Sequence, residues 1–255
     1  MFPRDRPGEG VSESSGDHGE AADGGGYRFS EALARIDEAL ALDPGELRAQ
    51  ILLSKSNILR RLGDPEGSTV VLLEAEPLID AHRDPRLAFG LRFNILVDLC
   101  HLGRSAEAAP RFPAVRQLAE RLGDALDLTR CLWLQGQIDS GLGRLAEALS
   151  AFDQVRRTFL EHSLPYDYAL VSLDLSLVLL EQGRTAEVAR VAEEMLGIFK
   201  SHEVHPEAMA ALRVFCDAAK QEAATVELTR QVERYLRRAQ HDPELRFERE
   251  GTEAR

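Results

Sequence analysis

Residues 143–148 read Gly-Arg-Leu-Ala-Glu-Ala. The same words return forty residues to either side, as Gly-Arg-Ser-Ala-Glu-Ala at 103–108 and Gly-Arg-Thr-Ala-Glu-Val at 183–188. Gly63 adds one more step of the same length. A constant interval in this range marks one supersecondary unit stacked on copies of itself. The fold class then follows before any single residue is weighed, and the search for function moves from catalysis toward binding.

The register extends beyond the glycines. Seven residues before them stand Ser56, Leu96, Gly136 and Ser176. Five after stand Ser68, Ala108, Ala148 and Val188, and nine after stand Leu72, Phe112, Phe152 and Ala192. Small residues at the first two places let paired helices approach closely, and a larger side chain one turn on fills the gap. Each unit is therefore an αα-hairpin. The glycine ends one helix in the left-handed conformation. Ser105 and Thr185 are expected to cap the next, and the arginine and glutamate of the motif complement the dipoles of the flanking helices.

Punctuation divides 27–240 into about eleven helices, with no strand-like alternation. Asp43-Pro44, Asp64-Pro65, Asp84-Pro85, Leu164-Pro165 and His205-Pro206 place proline where a helix can begin without losing a bond. Pro110 and Pro113 fall inside an expected helix, where an internal proline costs about 3 kcal/mol, so a kink or break is expected there. The count is a half-unit at 28–42 and hairpins at 45–82, 84–122, 125–162, 164–201 and 205–240. In the last, Ala223 takes the glycine's place, with Cys216 and Val232 in the packing positions. Residues 1–26 are rich in Gly, Ser and acids and are read as disordered, and 241–255 as a flexible tail.

These residues resemble the tetratricopeptide repeat (TPR). Gly136, Gly143, Leu145, Ala148 and Phe152 match its pattern, and Phe29, Ala32, Ala39 and Leu42-Asp43-Pro44 match its second half. The resemblance implies an all-α, right-handed αα-hairpin superhelix, a TPR-like solenoid. The usual period is 34 residues. The longer one here is similar to the repeats of bacterial transcription regulators of the maltose-regulator type. Arg92 and Ser172 depart from the family's bulky apolar residue, and Ser68 and Val188 from its alanine. The first helix, with Leu33, Ile36 and Leu40 on one face, lacks a partner before it. The chain thus resembles the back part of a longer protein.

Composition narrows the function classes. Lysine and arginine number 31 against 43 acids, a net charge of −12. Such a chain repels phosphate backbones, which argues against nucleic acid as a direct partner. No apolar run reaches the ~18 residues of a membrane span. Three cysteines without close spacing suit a reducing compartment, and a cytoplasmic protein is expected.

Candidate chemistry is sparse. His202 and His205 are three apart in an expected loop, not the four apart that a zinc helix needs. Gly63-Asp-Pro-Glu-Gly-Ser-Thr lacks the lysine of a phosphate loop. Asp98, Asp139 and Asp174 read as solvated or capping groups. Arg230, Arg234, Arg237 and Arg238 read as a stripe complementing a helix end rather than as a binding patch. No catalytic residue, metal or cofactor is expected, and the chain reads as a non-enzyme.

The resemblance implies that the first helix of each hairpin lines a concave groove that holds a protein or peptide segment. The lining residues would be Asn57, Arg60, Arg61, Asn94, His101, Arg130, Trp133 and Gln137. Asn57, Asn94 and Arg130 match three of the five places of the carboxylate clamp in chaperone-binding members. The other two are Leu53 and Leu134, which cannot bind charge. Trp133 is either a core filler or an exposed anchor, with the anchor favoured. The alternative function is a sensory or oligomerisation arm like those attached to bacterial DNA-binding domains.

Overall fold

A computed structural model describes residues 24–42, 45–242 and 245–248. These hold twelve α-helices and two short 3-10 helices: α1 (Gly24–Ala41), α2 (Arg48–Arg61), α3 (Pro65–Ala75), α4 (Pro85–His101), α5 (Ser105–Ala108), α6 (Phe112–Leu122), α7 (Ala125–Gly141), α8 (Leu145–Glu161), α9 (Pro165–Glu181), α10 (Thr185–Ser201), α11 (Pro206–Lys220) and α12 (Val226–Ala239). From Pro65 to Thr185 a helix begins every twenty residues. Consecutive helices pack as hairpins, and the whole is a TPR-like solenoid of one half-repeat and five hairpins.

The local chemistry explains the regularity. Gly63, Gly103, Gly143 and Gly183 all have positive φ, between 69° and 81°. Each ends the first helix of a hairpin where other residues would be strained. In the fifth hairpin the left-handed residue is Glu222, with φ of 55°, one position before the Ala223 that the spacing picks out. Prolines 65, 85, 165 and 206 each open a helix. Asp64 and Asp84 accept from the amides of Gly67 and Leu87, capping two of them. Asp43-Pro44 lies outside the described residues.

Ser105 and Thr185 are not caps: each is the first helical residue, preceded by an arginine that makes no side-chain cap. The motif's charges turn to each other instead. Arg104 pairs with Glu107 and Arg184 with Glu187, while Arg144 bonds Asp139. The expected break occurs at 109–111, splitting one expected helix into α5 and α6. Pro110 and Pro113 remove two donors there, and Pro113 falls at the start of α6, where its missing N–H costs nothing.

All twelve register positions named above are buried. A Cβ on Gly136 would stand 2.6 Å from a ring carbon of Phe152 and 3.2 Å from the Ala151 methyl, so α7 and α8 touch there nearly backbone to side chain. Two apolar cores run along the solenoid and meet at α7. Leu134 and Ile138 belong to the front one and Trp133 to the back one. Phe152, Phe159, Phe199 and Phe215 are fully buried in the back core. Each contributes about 1.5–3 kcal/mol.

The ordered chain continues past 240. Leu245 and Phe247 pack on the back core, Phe247 lies edge-on to Tyr235 at 5.1 Å, and the Tyr235 hydroxyl donates to the Leu245 carbonyl. These two apolar side chains hold residues 245–248 down within the stretch expected to be flexible. The disordered reading of 1–26 lies outside the described residues, except that 24–26 open α1.

Candidate functional site

The first helices of the hairpins (α2, α4, α7, α9 and α11) form the inner layer, and their polar residues converge at its centre. Arg60 donates to both carboxylate oxygens of Asp98, at 2.7 and 3.1 Å, and to the Asn94 side chain. The Ser68 hydroxyl donates to the same carboxylate at 2.6 Å. Asp98 is fully buried. Burial pushes its pKa up, against the pull of Arg60 and Ser68.

A second cluster sits on α7 and α9. The Trp133 indole donates to Asp174 at 2.6 Å and Gln137 donates to it at 2.9 Å. Burial and the Glu233 charge raise the Asp174 pKa, with Arg237, Trp133 and Gln137 opposing. Both aspartates are therefore buried and paired between helices and not the solvated or capping groups that their positions suggested. Asp139 is buried too, held by Gln135 and Arg144.

The two clusters are joined by α12, which no spacing argument places here. Arg237 donates to Glu233 at 2.7 Å, and its guanidinium lies 5.6 Å from the centre of the Trp133 ring. Its charge shifts Asp98 and His101 on α4 as well as Asp174 on α9. Glu233 is also buried, which raises its pKa, but Arg237 and His101 outweigh that and hold it low. At the far end Arg238 and His241 meet Arg61 and Phe29, on α2 and α1, around a small cleft. α12 thus packs on α9 and α11 and crosses the inner layer to the front of the molecule. The face built by the first helices is covered by the chain's own last helix.

This changes the standing of several expected lining residues. Trp133 is 9% exposed, edge-on to Phe159 at 5.8 Å, so it is not an exposed anchor. Arg60, Asn94 and Gln137 are spent on buried bonds within the wall. His101 has its Nε2 buried without a hydrogen-bond partner among the described residues, and burial lowers its pKa to about 4. Arg130 is half-buried beside Asp127, at 3.4 Å. Asn57 and Arg61 remain exposed. The three clamp-like residues do not form one cluster: Asn94 serves Arg60, Arg130 serves Asp127, and Asn57 stands apart in solvent.

No protein-family model matches the sequence, and no curated protein matches it. A solved structure does. The fold is similar to that of a Rap protein complexed with competence and sporulation factor. The TM-score is 0.65 at 14% identity, and the match covers 84% of this chain and 62% of that one. The chain therefore spans less than two thirds of that neighbour, and the likeness is one of fold.

Sequence reasoning set aside Asp98 and Asp174 as solvated or capping groups and Arg237 as part of a helix-end stripe, and passed over Glu233. A signal for the last pair was present: Glu233 and Arg237 are one turn apart among Leu228, Val232 and Leu236, on a helix whose arginines exceed what one helix end needs.

Proposed function

We propose that this chain is a noncatalytic TPR-like scaffold that holds a protein or peptide segment in its concave groove. What supports the reading is that the face built by the first helices accommodates a helix, α12, which packs on α9 and sets Arg237 over Trp133 beside Glu233. Grooves of this kind take amphipathic helices by presenting pockets to residues three and four apart. A neighbour of the same fold solved in complex with a factor supports a binding role. Among the described residues no helix is long and apolar enough to cross a membrane, and no group of His, Cys, Asp and Glu could hold a metal ion. Protein, rather than lipid or nucleic acid, is the partner proposed, in the cytoplasm.

The test is site-specific photo-crosslinking in cells. A photoreactive residue at Asn57 or at Arg130 should capture a discrete partner. The same residue at Ser150, exposed on the outer helix α8, should not. Capture from Ser150 alone would place the interface on the convex side.

A second reading has its own support. The four successive 17-residue helices from α7 to α10 make hairpins longer than the usual repeat, as in the sensory or oligomerisation arms of maltose-regulator-type transcription regulators. Self-association measured by sedimentation would favour it.

A further inference from the structure

α12 is covered more completely than an outer helix of a hairpin. A line of three arginines, Arg230, Arg234 and Arg238, marks its open side. Thr229, Gln231 and Glu233 are buried together with Leu228, Val232 and Leu236. On one flank the 245–248 segment covers α12, with Gln231 donating to the Glu248 carbonyl, and on the other Glu233 and Arg237 face α4, α7 and α9. Its packing also departs from the rule of the solenoid. α8 and α10 each pack between the inner helices before and after them, whereas α12 turns inward and packs on α9 more than on its own partner α11. The link before it, 221–225, carries Glu222 in the left-handed region, the place taken by glycine in the other four hairpins, as Ser163 and Glu203 do between hairpins.

From this placement we propose that α12 is an intrachain occupant of the groove, seated where a partner helix of the same chemistry binds. That partner is an amphipathic helix with apolar residues four apart and a carboxylate and a guanidinium one turn apart on its buried side. The carboxylate faces His101 on α4. The guanidinium lies over Trp133, and its charge acts on Asp174 and Asp98. The inference rests on the groove reading above and adds what binds there: a helix, not an extended peptide or a terminal carboxylate. Two helices cannot occupy the groove at once, so partner and α12 compete. A tethered helix has an effective concentration on the order of millimolar, which excludes a free helix of moderate affinity until α12 leaves.

The experiment titrates the full chain into a fluorescein-labelled synthetic peptide of residues 225–248 and follows anisotropy. Arg237→Glu in the chain sets a further acid against Asp174, Asp98 and Glu233 and should release α12. The variant should keep its helical circular dichroism and bind the wild-type peptide at least about tenfold more tightly than the wild-type chain does. A peptide carrying the same substitution should not bind. Equal binding by both chains, when hydrogen exchange shows α12 released in the variant, overturns the proposal. If the variant chain does not fold, exchange in the wild type decides. The amides of 228–239 should exchange as one unit before those of α9, and exchange of both helices together overturns the proposal. Peptide binding without a partner cross-linked at Asn57 or Arg130 removes the functional reading and keeps α12 as occupant. A cross-linked partner without peptide binding removes this inference and keeps the reading.

Discussion

The indole nitrogen of Trp133 donates to a carboxylate oxygen of Asp174 at 2.6 Å, from α7 to α9, with both side chains withdrawn from solvent. The bond fixes two neighbouring inner helices and orients the ring face on which Arg237 rests. Trp133→Phe keeps most of the packing and leaves a buried carboxylate one donor short. The expected loss is about 1–3 kcal/mol, measured by urea unfolding with an unchanged slope.

Trp133 is the single tryptophan of the chain, so its emission reports on the groove alone. The wild type should emit at short wavelength. Arg237→Glu should shift the emission to the red without loss of helical signal. A short-wavelength emission in that variant would mean that α12 stays seated.

At the repeat's closest approach, Gly136→Ala forces a methyl within 2.6 Å of the Phe152 ring and should cost about 1–3 kcal/mol in urea unfolding. Gly143→Ala meets nothing within 4 Å, and its cost of about 1–2 kcal/mol comes from a φ of 75°. The converse applies at the fifth hairpin. Glu222→Gly relieves a φ of 55° and should stabilise by about 0.5–1 kcal/mol, seen as a higher Tm.

Acid acts on two groove residues in opposite senses. Folded His101 takes up a proton only near pH 4, against an ordinary value of 6.5, because burial disfavours its charged form. The unfolded chain binds more protons in that interval, so the His101 contribution is lost as pH falls from 6.5 toward 4. Asp174 is shifted upward, so above the ordinary carboxylate range the folded chain binds the extra proton, and the Asp174 contribution grows on acidification. His101→Gln should therefore flatten the loss of stability between pH 6.5 and 4, and Asp174→Asn should steepen it. Thermal unfolding across that range checks both.

The solenoid could be read from sequence because its signals are local. A left-handed glycine, a small residue seven positions before it and a packing residue nine after are set by contacts within one hairpin, and the first four hairpins share the glycine and its register. Ser105 and Thr185 misled because the hydroxyl residue stands one place inside the helix, the arginine before it taking the boundary. The groove was less legible because its wall depends on residues far apart in the chain. Asp98 looks like any polar residue on a helix until Arg60 and Ser68 come to it from α2 and α3. Trp133 looks like a hot spot until α12 covers it. The inward turn of α12 depends on how the whole solenoid curves, and the repeat register, which Cys216 and Val232 both satisfy by being buried, does not distinguish it from an outward one.

The claim on which the rest depends is that α12 crosses the concave face and ends beside α2. Spin labels at the exposed Arg61 and Arg238 measure this directly by pulsed electron resonance in the full chain, since both residues line the same small cleft. A single short separation is expected. If α12 instead stacked behind α10, the two labels would be parted by several helix spacings of about 8–10 Å each. A dominant separation on the order of 30 Å or more would contradict the occupied groove and everything argued from it.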